Sequence, residues 1–430
     1  MTLALLGFAS VLVLAFLGVP LCFAMLGVGI ALFSMLRGMG PAMMMAGQTI
    51  SNLAMNEGLS VLPMFILMGT LIYKSDLAEE LYDAAYALVG HKRGGLAYAT
   101  VLASAGFASI SGSSIATAAT MTKVALPSMR RHGYDDSLAS GCVSSAGTLG
   151  ALMPPSVPLL IYGIVAQQDI AKLFIAGILP GILLGSLFML AIRWTVLRRP
   201  GVAPAGPALP WRERVSKVSK VWGIALLFVL VMGGLYSGIF TATEAGAVGA
   251  VGALVFTLLR RRLTWRVLRE SLVEAGRTTA MIFAVAFGGM VYANFVTMSG
   301  MTSNLITLIA QLHLPVIGVI IFIMAVYVVL GSTMEAISMM LLTVPVFAAV
   351  LAPLGVNLIW FGVFVAMMIE IGMIHPPMGM NVFMVKTMMP DLSLRAIFAG
   401  TFPFLVANFL ALAILVAFPA IATWPTAFAK

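Results

Sequence analysis

The chain has 430 residues, of which 61% are hydrophobic and only 9% are charged. Soluble domains carry roughly 25% charged residues, so this composition excludes a soluble globular protein and indicates an integral membrane protein. The net charge of +9 is concentrated in residues 193–220 and 260–270, which favours loops at a membrane surface over a nucleic-acid-binding surface.

The apolar runs predict membrane helices rather than a β-barrel, because they are much longer than alternating segments of about ten residues. Residues 1–20 lack a basic leader and a small-residue cleavage site, so we expect a retained first helix rather than a signal peptide. Charged and apolar positions alternate at helical spacing in residues 75–95, which predicts an amphipathic helix at the membrane interface. Cys22 and Cys142 lie in apolar sequence and predict neither a disulfide nor a zinc site.

A cluster of small polar residues at 111–114, followed by Thr117, interrupts the apolar sequence. The runs on either side, 96–108 and the return toward Pro127, are each too short to span a bilayer. A hairpin that turns back at mid-membrane fits both lengths, and its irregular tip is tolerated only where it faces a protein cavity. The alternative is helix packing through small residues, without any ligand.

A break in a helix is predicted next to this hairpin, at residues 147–156, because proline lacks an N–H and crowds the preceding turn. The pattern recurs 222 residues later: Gly150 aligns with Gly372, and Pro154–Pro155 aligns with Pro376–Pro377. The second half also has a polar tip, at 331–335, and a second break, at 372–381. This layout predicts the inverted repeats from which many transporters are built.

The two halves are joined by a Pro/Gly-rich linker at 198–210. Residues 221–259 are long enough for two short crossings, so both basic stretches are expected on the cytoplasmic side. A second amphipathic helix is predicted at 264–276.

Three acidic residues lie away from the polar loops, and ionisable residues at membrane depth are functional candidates. Glu335 follows the second tip and is a candidate ligand for a cation or a proton. Glu370 either faces the same cavity or pairs at an interface. Glu244 has a simpler explanation, as a cap at a helix N-terminus. His375 is a candidate for a proton role or for a structural hydrogen bond.

Enzyme activity is not predicted. The sequence has no glycine-rich phosphate loop with its lysine and no metal-ligand cluster. An intramembrane serine hydrolase needs a histidine base, and His375 is the one plausible partner among four histidines.

Several motifs resemble those of the large membrane subunit of tripartite ATP-independent periplasmic (TRAP) transporters, over nearly the full chain. They include LPMFILMG (62–69), SISGSSIATA (109–118), GTLGALMPPSVPLLIYG (147–163) and PPMGMNVF (376–383), which are highly specific together although none is so alone. The resemblance implies an all-α integral membrane protein with two inverted repeats, re-entrant hairpins and broken helices, working as an elevator. The family often has Asp near Glu335 and a small hydroxyl residue at the position of His375.

The function implied by the resemblance is sodium-coupled uptake of an organic acid, such as a C4-dicarboxylate or sialic acid, across the bacterial inner membrane. The implied partners are a soluble periplasmic binding protein and a separate small four-helix membrane subunit. A proton-coupled transporter of the same architecture is the alternative, as is a channel or passive scaffold subunit.

The domain organisation expected from these patterns has five regions. They are a first scaffold part (1–95), a first transport-domain half (96–192), a basic cytoplasmic linker (193–220), a second scaffold part (221–298) and a second transport-domain half (299–430).

The candidate site residues belong to the two tips and the two breaks, where hydroxyl groups and free backbone groups suit hard cations and anions. The sodium-binding candidates are Ser111, Gly112, Ser113, Ser114, Gly147, Thr148, Gly331, Ser332, Thr333, Gly372, His375 and Met378. The substrate-binding candidates are Ser114, Thr117, Pro154, Pro155, Ser156, Glu335, Pro376, Pro377, Gly379 and Asn381. No metal other than sodium is expected.

Overall fold

The structure is a computed structural model that describes residues 2–75, 77–332 and 334–428, and this part of the chain contains helices and no strands. The helices are α1 (Thr2–Phe16), α2 (Leu21–Arg37), α3 (Met39–Ala54), α4 (Val61–Lys74), α5 (Leu77–Val89), α6 (Gly95–Ser111), α7 (Ser114–Arg131), α8 (Asp136–Ala146), α9 (Val157–Val165), α10 (Ile170–Arg198), α11 (Trp211–Ser219), α12 (Trp222–Tyr236), α13 (Ala242–Leu259), α14 (Trp265–Met298), α15 (Met301–Gln311), α16 (Val316–Gly331), α17 (Ala336–Leu351), α18 (Leu358–Ile374), α19 (Met380–Met388), α20 (Leu394–Ala417) and α21 (Ala420–Thr423). Short 3₁₀ helices occupy Glu57–Ser60, Gly147–Ala151, Ala352–Leu354 and Trp424–Phe428.

Six helical segments in the described residues are long and apolar enough to cross a membrane. The number is seven if the bent pair α11–α12 is counted as one span. The six are Glu57–Lys74, Ile170–Arg198, Ala242–Leu259, Trp265–Met298, Ala336–Leu354 and Leu394–Ala417. The expected all-α, multi-pass membrane architecture is therefore confirmed.

The linker between the halves is tied to the ends of the first hairpin and its neighbours. The backbone N–H of Asp135 donates to the carbonyl of Val202 at 2.9 Å, and that of Gly94 donates to Ala203 at 3.1 Å. The ends of α5, α7 and α10 therefore lie on one face of the protein. We call this face, which carries residues 199–210, the basic side.

Further helix ends lie on the basic side. Arg260, after α13, lies 3.3 Å from Glu80 of α5, and Lys74, at the end of α4, lies 2.8 Å from Glu274 near the start of α14. Because α14 starts there and is 34 residues long, it ends on the opposite side, where α15 and α16 follow.

The first hairpin consists of α6 and α7, and its tip consists of Gly112 and Ser113. Gly112 ends α6 with φ +58°, a left-handed conformation that glycine adopts without steric cost. The start of α6 lies beside the end of α7, since the N–H of Leu96 donates to the hydroxyl of Tyr134 at 3.1 Å. The hairpin therefore enters and leaves on the basic side, as the short flanking runs predict.

The second hairpin consists of α16 and α17 and enters from the opposite side. The two helices are joined by the hydroxyls of Tyr327 and Thr343, 2.7 Å apart. Its tip includes Ser332 and Glu335, while the sodium candidate Thr333 lies outside the described residues. The two hairpins thus have the opposite orientations that inverted repeats require.

Both predicted helix breaks are present. The first follows α8 as a 3₁₀ turn and an irregular stretch up to α9, and the second separates α18 from α19; Pro154–Pro155 and Pro376–Pro377 are both cis. The second interruption begins at His375 rather than at the predicted Gly372. The residue before a proline is disfavoured in the α region, so the helix continues until His375, which has ψ 137°.

The prediction of a separate amphipathic helix at 264–276 is wrong at its C-terminal end. This stretch is the beginning of the uninterrupted helix α14, which contains no proline. Gly276 alone does not end the helix, because one interior glycine costs only about 1 kcal/mol. The predicted helix within 75–95 is α5, with Ala78, Leu81 and Tyr82 buried. Glu244 completes a capping box with Thr241 at the start of α13, as expected.

Candidate functional site

A cavity of about 380 Å³ lies where the two hairpins meet. One wall comes from α4 and α14, and the other comes from both hairpin tips, the start of α9 and parts of α18 and α19. The cavity therefore joins residues from both halves of the chain. Tyr73 and Glu274 line it next to Lys74, so the cavity approaches the surface on the basic side.

Three helices begin at the cavity, each with a side-chain cap. Ser113 accepts a hydrogen bond from the N–H of Ala116 at the start of α7, and Ser156 accepts one from Leu159 at the start of α9, both at 3.3 Å. The carboxylate of Glu335 occupies the start of α17. Helix N-termini carry partial positive charge and favour anions. The starts of α7 and α9 therefore provide an electrostatic environment that suits a carboxylate.

Three carboxyl groups belong to the wall of the cavity. Glu274, Glu335 and Glu370 all line it, and none of the described lining residues is lysine or arginine. Glu370 is only 1% exposed. Its Oε1 accepts a hydrogen bond from the hydroxyl of Ser114, whereas Oε2 has no hydrogen-bond partner among the described residues. Glu274 is paired with Lys74, which lies 2.8 Å away at the edge of the cavity, whereas Glu335 and Glu370 have no lysine or arginine beside them among the described lining residues.

The first tip packs tightly on the first break. The N–H of Val157 donates to the carbonyl of Gly112 at 3.1 Å. A Cβ atom at Gly112 would overlap the carbonyl oxygen of Pro155, and one at Gly150 would lie 2.7 Å from the backbone nitrogen of Ser114. Glycine at both positions is therefore required for this close backbone contact.

The second tip repeats this packing. A Cβ atom at Gly372 would lie 2.7 Å from the carbonyl oxygen of Gly331. Gly372 is the residue that aligns with Gly150 in the repeat, and both approach the tip of the hairpin in their own half. The sequence repeat thus corresponds to a repeated tip-to-helix contact.

The two halves are also bonded directly to each other. Asn381 of α19 donates to the carbonyl of Ser144 in α8 at 3.1 Å, and the hydroxyl of Tyr162 donates to the carbonyl of Leu358 at 2.6 Å. Together with the Ser114 to Glu370 bond, these contacts join both hairpins and both broken helices into one body.

An ion-pair cluster on the basic side adds another link between the halves. Arg130, at the end of α7, contacts Asp136 at 2.7 Å and Asp391 at 2.6 Å. The hydrogen bond from the Arg130 guanidinium holds the pKa of the Asp391 carboxyl below its usual value.

The predicted site residues fall into two groups. Those that line the cavity are Ser111, Gly112, Ser113, Ser114 and Glu335. Those that do not line it are Gly147, Thr148, Thr117, Pro154, Pro155, Ser156, Gly331, Ser332, Gly372, His375, Met378, Pro376, Pro377, Gly379 and Asn381.

Several residues of the second group lie behind the cavity wall. Thr117 is fully buried and its hydroxyl lies 3.2 Å from that of Ser111. Thr148 is fully buried and donates to Ser145. Met378, in contrast, is 50% exposed. The predicted residues of the first tip therefore line the cavity, whereas those of the second break do not.

Glu370 was predicted either to face the cavity or to pair at an interface, and it lines the cavity. Its contact with Ser114, 256 positions away in the sequence, was not predictable. Glu274 was assigned to an amphipathic surface helix, whereas α14 continues into the membrane. The absence of proline after Glu274 is the signal that could have identified it.

Comparisons with known proteins agree with this architecture. Residues 8–421 match the family model described as "Tripartite ATP-independent periplasmic transporter, DctM component". The chain is 35% identical over 365 residues to the C4-dicarboxylate TRAP transporter large permease protein of Pseudomonas aeruginosa, covering 84% of each chain. It is 30% identical over 407 residues to the sialic acid TRAP transporter large permease protein of Vibrio cholerae, covering 94% of each.

A third relative, the 2,3-diketo-L-gulonate TRAP transporter large permease protein of Escherichia coli, is 33% identical over 410 residues, covering 94% of each chain. The crystal structure of the Alcanivorax borkumensis YdaH transporter has a similar fold, with a TM-score of 0.62, 14% identity and 90% coverage of each chain. On the family match and these identities, the chain belongs to the large permease subunits of the TRAP transporters.

Proposed function

We propose that this permease imports an organic acid together with sodium ions by an elevator mechanism. The observation that supports this most directly is the cavity itself, where helix N-termini lie beside the carboxyl groups of Glu335 and Glu370. The named relatives transport C4-dicarboxylates, sialic acid or 2,3-diketo-L-gulonate, all of which carry a carboxylate. We infer the same class of substrate for this chain.

Cation coupling follows from the charge of the cavity. A carboxylate substrate would be repelled by an ionised Glu335 or Glu370, whereas Glu274 is paired with Lys74. Because no described lining residue is basic, a co-transported cation has to supply the balance. Sodium suits the hydroxyl and carbonyl oxygens of the first tip, including Ser111 and Ser113.

The elevator mechanism is supported by the two unlike walls of the cavity. The hairpins and broken helices are bonded into one body, which we assign as the transport domain. The wall from α4 and α14 presents the apolar Ile66, Met281 and Ile282, which have no directional hydrogen bonds to break when the other body slides past. We assign α4 and α14 to the scaffold.

The partners and location follow from the family. We propose that a periplasmic binding protein delivers the acid, that a small four-helix subunit pairs with this chain, and that the complex lies in the bacterial inner membrane with the basic side facing the cytoplasm. The cavity then opens inward in this structure.

The test is uptake into vesicles that contain the full chain and its small subunit, with a periplasmic binding protein loaded with a radiolabelled C4-dicarboxylate or sialic acid outside. We expect uptake that needs an inward sodium gradient and the binding protein. Uptake driven equally well by a pH gradient without sodium would overturn sodium coupling. Flux with neither gradient nor binding protein would identify a channel instead.

A further inference from the structure

A second cavity lies on the outer surface, away from the transport site. It is a groove of about 250 Å³ between α10 and α20, and every lining residue is apolar. Its α10 wall includes Leu190 and Trp194, 59% and 53% exposed, and its α20 wall includes Phe402 and Val406, 64% and 52% exposed. Both helices are long and apolar enough to span the membrane, so the groove lies at membrane depth.

The groove is deep because small residues form its floor. Ala191 and Ala407 line it and are 8% and 6% exposed, whereas the larger side chains on both flanks project outward. A narrow apolar channel between two helices fits a hydrocarbon chain and has no polar group to bind a polar ligand.

Both walls of the groove lead to an arginine at the basic side. On α10, Arg198 lies one turn beyond Trp194, and its guanidinium is 4.9 Å from the centre of the Trp194 ring. On α20, the exposed Arg395 precedes Phe402 by seven residues, which places it on the same helix face two turns away. The apolar groove therefore ends at two positively charged residues at the membrane surface.

We propose that this groove binds an anionic phospholipid of the leaflet on the basic side, with one acyl chain in the groove and its phosphate between Arg198 and Arg395. Guanidinium groups bind phosphate oxygens in paired hydrogen bonds. Basic residues at the cytoplasmic surface attract anionic lipids. A phospholipid supplies an apolar chain for the groove and an anionic headgroup for the two arginines at its end, so charge complementarity favours the lipid.

The groove lies between the two repeats. Helix α10 precedes the linker between the halves, and α20 follows the second broken helix, so the ligand bridges the two repeats on the face away from α4 and α14. This inference does not depend on sodium coupling or on the identity of the substrate.

The experiment is native mass spectrometry of the delipidated full chain, titrated with phosphatidylglycerol or phosphatidylcholine. We expect wild-type protein to retain one phosphatidylglycerol preferentially. The R198Q/R395Q double variant should retain it about tenfold more weakly, because two arginine contacts to an anionic headgroup are lost. The groove-filling V406W variant should lose the bound lipid.

Matched controls are R212Q, an exposed arginine in α11, and L226W, a 55% exposed position on α12; both should retain phosphatidylglycerol like wild type. Thermal unfolding of each variant verifies its fold. Equal retention by R198Q/R395Q and wild type would overturn the proposal, and so would equal binding of both lipids. Displacement of the lipid by the small membrane subunit would show that the groove is a subunit interface.

Discussion

Replacing Ser114 with alanine tests the contact on which the candidate site depends. Ser114 is 7% exposed at the first tip, and its hydroxyl donates to Glu370 of the other half. The substitution removes this donor without adding volume. Glu370 then has no hydrogen-bond partner at either carboxyl oxygen among the described residues.

The expected magnitude follows from the burial of Glu370. A typical intramolecular hydrogen bond contributes about 0.5–1.5 kcal/mol, and a buried acceptor left unpaired costs about 1–3 kcal/mol. A loss of about 2 kcal/mol changes an equilibrium roughly 30-fold. We therefore expect S114A to lower the equilibrium constant for docking of the first tip on α18 by about this factor.

The assay is sodium-driven uptake in vesicles at a series of sodium concentrations, with thermal unfolding measured in parallel. S114A should reduce uptake at limiting sodium about tenfold or more, because the displaced tip lines the cavity. S109A is the matched control, since Ser109 donates to Ala105 within α6 and does not reach the other half; its uptake should stay near wild type.

E370Q separates hydrogen bonding from charge. The glutamine keeps an oxygen that accepts from Ser114, so we expect the folded protein to be at least as stable as wild type. If S114A and S109A have indistinguishable sodium dependence and stability, the hydrogen bond from Ser114 to Glu370 does not hold the first tip in place.

Three further substitutions probe other parts of the site. S113A removes the cap of α7, costing about 1 kcal/mol, and should weaken sodium-driven uptake while the protein stays folded; unchanged uptake would exclude its role. G372A should unfold at a lower temperature, because its methyl group would lie 2.7 Å from a backbone carbonyl of the second tip, whereas G27A, with open space around it, should not. K74Q leaves Glu274 without its 2.8 Å partner at the cavity mouth and should slow uptake of an anion, and K74Q/E274Q should restore it. If the double variant does not restore uptake, Lys74 does not act by neutralising Glu274.

The hairpins and breaks were predictable because they depend on local sequence. A serine cluster between runs too short to span, and two consecutive prolines, restrict the backbone within a few residues. The repeat at an offset of 222 extended this reasoning to the second half, where Gly372 occupies the position of Gly150.

The cavity was less predictable because its chemistry depends on distant pairs. Nothing near Ser114 in the sequence indicates Glu370, and the motif at 62–69 in α4 does not indicate that this helix faces α14 across a cavity. The end of the predicted helix at 264–276 was wrong for a related reason. Amphipathic spacing identifies a helix, but an arginine or glutamate at its start does not determine where the helix stops.

The hydrogen bonds that cross between the repeats have a consequence for assembly of the chain. Asn381 reaches Ser144, and Tyr162 reaches Leu358, so neither repeat completes its own fold. A polypeptide of half this length would need an antiparallel copy of itself to make these bonds. Because such contacts join the halves without the linker, two separately translated fragments divided after Gly206 should reassemble, with the linker's own bonds to Asp135 and Gly94 kept in the first fragment.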